Sequence, residues 1–376
     1  MTSFPPSQRP QIWKILLTCK GLDGTCFLSV CYASIRGATL KLIWWFTVLS
    51  VIFALPGCQE LPGELEVSGE AQGTTYHIKL VLDGKSTSLE EIRGQVSATL
   101  DGIDSKLSNY RNDSEISLIN QQENTDWLAV SQEIAELLVI AHTVYERSDG
   151  CYDLTIKPLF DLWGFSRHEN RIPTQGEINA LLPHIGMSLL EVDAVNQRIR
   201  KKDPKLKIDL SSIAQGYSVG RVARRLEEMG IKSYMVEIGG EMMVKGRKAN
   251  GDAWRIGIET PTPFIRKLHK VIDVKKQDAT AIMTAGTYRN FFEENGQAYS
   301  HILNPKTGRP VIHHLHSVTV LHDDPTWADA WDTALLCVGE QEATRIAEAE
   351  KLKVLLIYDD DNKLKEHASK AFAASQ

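Results

Sequence analysis

Apolar residues recur every three or four positions in some stretches of the chain and every second position in others. Leu89, Ile92, Val96, Leu100, Ile103 and Leu107 are spaced 3, 4, 4, 3 and 4 apart. On a helix that spacing lines one face, so an amphipathic helix is predicted there. A second helix is predicted over 132–148, ended by Gly150, and a third over 213–229, ended by Gly230, since glycine readily takes the left-handed conformation that closes a helix. Period two governs Thr74-Thr75-Tyr76-His77-Ile78-Lys79-Leu80, which predicts a strand over 74–82, with another before it at 64–69. Beyond Gly230 come short β-like runs at 233–238, 254–259, 270–274, 298–303 and 316–321. Helices near 326–337 and 341–350 follow, then a strand at 353–358. Strands and helices mix without regular β-α-β alternation. The expected fold class is therefore α+β, with mixed or antiparallel sheets and packed helices, rather than a doubly wound parallel sheet. The end of the chain, Ala368–Gln376, is expected to fray.

One stretch fits neither period. Residues 42–55 (LIWWFTVLSVIFAL) are almost wholly apolar, with Lys41 before them and Leu55-Pro56-Gly57-Cys58 after. A basic flank, an apolar core and a small residue before a cysteine read as a lipoprotein signal peptide. The core is short beside the roughly 20 residues of a membrane span. Cleavage before Cys58 and lipid attachment to its thiol are expected; an uncleaved N-terminal anchor is the alternative. Either way the body faces the periplasm, held to the inner membrane, with Gln59 leaving outer-membrane sorting open. The expected organisation is a removed extension and signal over 1–57, a linker over 58–66, one large domain over 67–365 and a tail over 366–376.

Composition narrows the classes. Of 376 residues, 43% are apolar and 24% charged, ordinary for a globular protein, and no internal repeat is present. The net charge is −6; without residues 1–57, which carry five basic residues and one acidic, it is −10. A general nucleic-acid binder needs a basic face, so that class loses ground. The six cysteines show no CxxC spacing, which argues against zinc. Only Cys151 and Cys337 lie in the body; the sequence allows a disulfide between them and does not require one.

Candidate chemistry sits in three segments. Asp329, Asp332 and Thr333, at i, i+3 and i+4 of a predicted helix, share a face. Two carboxylates and a hydroxyl suit Mg²⁺ or Ca²⁺ better than zinc; a solvated first turn would place acids there as well. In Asp209-Leu210-Ser211-Ser212-Ile213-Ala214-Gln215-Gly216-Tyr217 a β-like run turns into a helix whose start suits an anion, and Gly216 and Gly220 permit close backbone approach. Simple N-capping by Asp209 or Ser211 accounts for these residues by themselves. Tyr299-Ser300-His301-Ile302-Leu303-Asn304-Pro305 reads as a strand running into a turn, and His301 is an acid, a base or a structural residue. His313, His314, His316 and His322 match no usual ligand spacing. GxxxxGK[ST], HExxH and GxGxxG signatures are missing, which sets aside P-loop kinases and zincins.

Taken in order, further segments join these: Gly73-Thr74-Thr75-Tyr76; Ser108-Asn109-Tyr110 with Ser114-Glu115-Ile116; Tyr152-Asp153-Leu154-Thr155 with Leu162-Trp163-Gly164-Phe165; Gly239-Gly240-Glu241; and Ala328-Asp329-Ala330-Trp331-Asp332-Thr333-Ala334. Together they resemble the FAD:protein FMN transferase family, also called the ApbE family, over about residues 66–360. The resemblance implies a two-lobed α+β fold related to tunnelling folds, with FAD in the cleft. It implies that Tyr110 borders the flavin, that Gln72, Cys151, Tyr152, Asp153, Asp209, Gln215 and Leu303 contact FAD, and that Asp329, Asp332, Thr333 and the backbone of Ser212 hold Mg²⁺. A lipoprotein signal is usual in that family. The chain departs from the family pattern at Gln72, where Met is usual, at Gln215, often Lys, at Ala285, commonly Ser, and at Gly220, commonly Asp.

The implied reaction splits the FAD pyrophosphate. A threonine or serine hydroxyl of an acceptor protein, such as a membrane redox-pump subunit, attacks the FMN phosphorus and AMP leaves, with Mg²⁺ offsetting the charge. The nucleophile belongs to the partner, so none need stand out here. His301 is the candidate base, with an aspartate near the metal as its rival. Two other readings stay open: an FAD pyrophosphatase, in which water attacks, and a non-catalytic flavin- or metal-binding lipoprotein.

Overall fold

The computed structural model describes residues 63–82, 87–166, 169–263, 265–361 and 363–376. The expected signal peptide, the extension before it and Cys58, the expected lipidation residue, lie outside the described residues. Everything described belongs to one compact unit, Leu61–Gln376.

The chain opens with strands β1 (Gly63–Ala71) and β2 (Thr74–Leu82), joined at Gln72-Gly73, whose φ values are 55° and 73°. Two positive-φ residues make the tight turn that matches strand twist. Helices α1 (Leu89–Leu107) and α2 (Glu115–Gln121), strand β3 (Trp127–Ala129) and helix α3 (Gln132–Arg147) follow. Next come α4 (Lys157–Trp163), α5 (Gln175–Leu181), β4 (Leu190–Asp193), β5 (Arg198–Lys201) and α6 (Ala214–Glu228). A strand-rich stretch holds β6 (Ser233–Ile238), β7 (Glu241–Lys245), β8 (Trp254–Glu259), β9 (Leu268–Val274) and β10 (Thr280–Gly286). It continues through β11 (Phe291–Glu294), β12 (Gln297–Ser300), β13 (Leu303–Asn304), β14 (Arg309–Pro310) and β15 (Leu315–His322). The chain ends with α7 (Pro325–Val338), α8 (Glu340–Ala349), β16 (Lys353–Asp360), β17 (Lys363–Ala368) and α9 (Lys370–Ser375).

Eight strands form one sheet in the order β1-β2-β6-β7-β10-β15-β16-β17, antiparallel at every pairing. The predicted α+β class with antiparallel sheets is the class observed. Helices α1, α3, α6 and α7 cover one face through the main core. The hairpin β8–β9 covers the other, burying Trp254, Ile256 and Ile258 while Arg255 points outward. A smaller cluster of Leu159, Trp163, Phe165, Ile178 and Leu303 packs α4 and α5 beside β13. Each side chain of this size contributes about 1.5–3 kcal/mol by leaving water.

Two expected boundaries are corrected. The linker over 58–66 gives way to β1 from Gly63, because that strand pairs with β2 along its whole length. The tail over 366–376 is not frayed. Residues Lys363–Ala368 pair with β16, Ser369 caps α9, and Phe372 is buried against the sheet. A polar run with one aromatic gave no local sign of that packing.

Candidate active site

Three buried carboxylates gather where α6, α7 and the start of β7 converge. Asp324 caps α7 by accepting from the Thr326 and Trp327 amides, and Pro325 starts the first turn. Apolar side chains surround the helix on nearly all sides, so its two carboxylates are buried with it: Asp329 is 5% and Asp332 1% exposed. The solvated first turn is thereby excluded. Asp329 Oδ2 accepts from the Gly216 amide at 2.6 Å. A Cβ on Gly216 would lie 2.4 Å from the Pro325 carbonyl oxygen and 2.6 Å from Asp329 Cβ, so only glycine lets the two helices approach this closely. Thr333 Oγ1 donates to Asp332 Oδ1 at 3.2 Å, while Asp332 Oδ2 is buried with no partner.

Glu241 points into the same cleft, 8% exposed, its Oε2 accepting from the Thr284 amide at 3.0 Å. Burial pushes the Asp329 carboxyl up to about 7, against the pull of the Gly216 amide. Burial first, then the charges of Glu241 and Asp329, pushes Asp332 well above the usual carboxylate range. Burial and Asp329 do the same to Glu241. Like charges at close quarters with an orphaned oxygen are relieved by a cation. Among the described residues no three His, Cys, Asp or Glu side chains gather as a metal cluster. A cation here would take carboxylate oxygens from α7 and complete its shell with hydroxyl, backbone and substrate oxygens. That donor set suits Mg²⁺.

The opposite wall is the turn before α6. Asp209 does not cap that helix, which starts at Ala214 without a side-chain cap. Its Oδ1 instead accepts from Asn109 Nδ2 at 2.8 Å and from the Ser211 amide at 2.9 Å, fixing the turn that carries Ser212. The Ser212 carbonyl accepts from Tyr152 Oη at 3.2 Å. Gln215 Nε2 donates to the Ile238 carbonyl at 3.1 Å. A Cβ on Gly239 would come 1.9 Å from that nitrogen, and its φ of +60° is one few other residues adopt.

His301 enters from the end of β12. Its Nδ1 lies 2.8 Å from the Asn290 carbonyl, which must accept, so Nδ1 carries the proton and Nε2 keeps a lone pair. Burial lowers its pKa from 6.5 to about 4, leaving a neutral ring.

One cleft is lined by Tyr110, Cys151, Tyr152, Asp153, Asp209, Ser212, Gln215, His301, Leu303, Asp329, Asp332 and Thr333. All the candidate residues from the sequence meet there except Gln72. Gln72 lies in an adjoining groove that shares Tyr110, Ser211 and Gln215 with the cleft, and its Nε2 donates to Ser218 Oγ at 2.7 Å. Asp153 spends its carboxylate on Thr155 and the Met187 amide, so only its backbone is left to meet a ligand. Tyr110, 73% exposed, stands at the mouth. The histidines set aside as ligands have other work: His316 pairs with Asp359, and His313 Nε2 meets the Leu336 carbonyl.

The sequence did not single out Glu241 or Arg289 as site residues. Arg289 lines the cleft, and a Cβ on Gly240 would sit 3.0 Å from its Nη1. The Gly239-Gly240 pair before Glu241 was the available signal, since adjacent glycines mark a place where another group comes close.

Comparison with known proteins agrees with this geometry. The model of the ApbE family matches residues 72–356. A FAD:protein FMN transferase of Vibrio cholerae is 36% identical over 330 residues, 87% of this chain and 97% of that protein. The solved flavin transferase ApbE from Vibrio cholerae superposes with a TM-score of 0.77 at 35% identity, covering 83% of this chain and 99% of that one. The apo flavinyl transferase ApbE of Pseudomonas stutzeri gives 0.76 at 33% identity, covering 84% and 98%. With its motifs in order, its fold shared and its site residues gathered in one cleft, the chain belongs to the ApbE family.

Proposed function

We propose that the protein is a Mg²⁺-dependent FAD:protein FMN transferase that moves the FMN half of FAD onto a threonine or serine hydroxyl of another protein and releases AMP. The observation that carries this reading is the buried Asp329–Asp332–Thr333 face, its Asp332 Oδ2 unpartnered, set across one cleft from the Ser212 carbonyl and His301. The cleft of about 320 Å³ and its adjoining groove of about 430 Å³ meet at Tyr110, which suits a ligand with two ring systems.

Asp329, Asp332, Thr333 and the Ser212 carbonyl would hold Mg²⁺, which would offset the negative charge of the phosphates and of a leaving nucleotide. The chain's own residues do the rest. Arg289 supplies a fixed positive charge to the pyrophosphate from the far wall. Ile302 and Leu303 give ring systems an apolar surface. His301 Nε2 accepts the proton of the acceptor hydroxyl as its oxygen bonds to the FMN phosphorus and the bond to AMP breaks. No nucleophile of this chain is needed.

Export and lipid anchoring at Cys58 are part of the same proposal, with the enzyme facing the periplasm and acting on exported or membrane redox proteins. A Cys151–Cys337 disulfide supports an oxidising compartment. Among the described residues no helix is long and apolar enough to cross a membrane.

The deciding experiment incubates the chain from Gln59 with FAD, Mg²⁺ and a threonine-bearing acceptor domain, then weighs the acceptor. A gain equal to FMN with stoichiometric AMP is expected. AMP with an unmodified acceptor would mean a pyrophosphatase, and no AMP a binding protein; either result overturns the transferase reading.

A further inference from the structure

Cys151 and Cys337, 186 residues apart, are joined by a disulfide whose Cα atoms are 5.9 Å apart. Both line the cleft that holds the candidate ligands. Cys337 follows Thr333 by four positions on α7, one turn along the face that carries the carboxylates. Cys151 belongs to the loop after α3, where Asp149 and Gly150 are left-handed at φ 51° and 73°. Tyr152, next in the chain, donates to the Ser212 carbonyl at 3.2 Å. The two walls of the cleft are thereby joined covalently: α7 on one side, and the loop that reaches Ser212 on the other.

Among the described residues, few hydrogen bonds join them. The hydrogen bonds of residues 149–152 run back to Tyr145 and Ser148, across to Lys306 and on to Ser212. Among the described residues none of these hydrogen bonds reaches α7; the bonded Cys337 sulfur lies 3.1 Å from the Cys151 carbonyl oxygen. The same sulfur is 4.0 Å from the Leu303 carbonyl, so three segments of the cleft converge on the disulfide. The loop and α7 also pack into the same main core, through Tyr152 and Leu154 from the loop and Ala330 and Trp331 from α7, so the fold does not depend on the bond alone.

We propose that the Cys151–Cys337 disulfide is a redox-controlled positioning element of the flavin site. Oxidised, it holds the FAD-contacting loop against the helix with the carboxylates. Reduced, it frees that loop, and affinity for FAD falls while the fold persists. This rests on reading the cleft as the FAD and Mg²⁺ site. The chemistry is exchange with a dithiol reductant. One reductant thiolate attacks a sulfur and breaks the S–S bond, and the second resolves the mixed disulfide. Two electrons and two protons pass to Cys151 and Cys337, and the reductant leaves as its own disulfide. Linkage makes the effect reciprocal, so bound FAD protects the disulfide by the factor by which the disulfide strengthens FAD binding.

The test uses the chain from Gln59, whose described body forms one compact unit and whose only cysteines are this pair. FAD affinity in the presence of Mg²⁺ is read by flavin fluorescence on the oxidised protein and after dithiothreitol, with circular dichroism confirming the fold. Reduction is expected to weaken FAD binding about tenfold, to raise KM for FAD more than it lowers kcat, and to reverse on reoxidation. The Cys151→Ala, Cys337→Ala double variant should match the reduced protein and ignore dithiothreitol. FAD should shift the thiol–disulfide equilibrium toward the disulfide, read by thiol labelling in a glutathione buffer. That equilibrium decides the matter even for a variant that does not fold. Equal affinity before and after reduction, no protection by FAD, or unfolding on reduction each overturns the proposal, the last making the bond a structural staple. Failure of the oxidised protein to bind FAD overturns the reading of the cleft as well; normal binding that ignores reduction overturns this proposal alone.

Discussion

Asp332 and Asp329 differ in what they hold. Asp329 anchors the start of α6 through the Gly216 amide, whereas one oxygen of Asp332 has no protein partner. Asp332→Asn is therefore expected to melt no lower than the wild type without Mg²⁺ and to lose the rise in Tm that Mg²⁺ and FAD together give; calorimetry with and without both ligands checks this. Asp329→Ala should abolish Mg²⁺-dependent turnover, and undiminished AMP release would sink the metal assignment. For His301 the sign follows from burial of the neutral ring. The folded-state pKa is about 4 against an ordinary 6.5, so the unfolded chain takes up the proton first as pH falls. Stability linked to this group is complete above about pH 6.5 and is lost on the way down to about 4. His301→Gln should lose less Tm than the wild type over that window, and should lower kcat at neutral pH by about 10²–10⁴. A pair of melting curves that run parallel through the window would remove the burial argument. At this scale Asp329, Asp332 and Thr333 were legible because their spacing alone puts them on one face. Glu241 and Arg289 were not, since a strand start and a turn carry no periodic mark.

Among the elements, α6 and α7 meet through Gly216. Gly216→Ala must push the Pro325 carbonyl away, and overpacking of this kind costs about 1–3 kcal/mol. The expected result is a lower Tm together with weaker FAD binding, since the displaced helix carries both the Gln215 contact and the amide that orients Asp329. Unchanged FAD affinity in a destabilised protein would mean that the helix contact matters to the fold alone. The C-terminal helix is an element that sequence pattern missed. Phe372 is 1% exposed, and Phe372→Ala should cost about 3–5 kcal/mol; a chemical denaturation midpoint equal to the wild type would show that α9 is dispensable. Among the strands the sequence pattern missed, β10 has a clear cause. Ala281 and Met283 of β10 face the helices while Ile282 faces the hairpin β8–β9. Buried on both faces, β10 has no polar alternation to reveal it, whereas β2, with exposed Thr75 and His77, announces itself.

Over the whole molecule, the disulfide closes a loop of 186 residues, and removing such a link typically costs about 2–5 kcal/mol of stability through the freer unfolded chain. The double alanine variant should melt lower by that amount, which a denaturant titration measures independently of any change in FAD affinity. The sequence by itself determined a good deal: the α+β class, five of the nine described α-helices, five of the eight strands of the main sheet, the carboxylate face of α7 and the order of the family motifs. These depend on local periodicity or on short runs of residues, which a one-dimensional pattern records. Tertiary structure alone decided that α7 is buried rather than solvated, that Glu241 and Arg289 join the cleft, that Gln72 stands beside it, and that the last residues pack. It also decided that Cys151 and Cys337 are partners. Each of these depends on which distant segments the eight-stranded sheet and its covering helices bring together, and burial, close approach and charge proximity have no counterpart in sequence spacing.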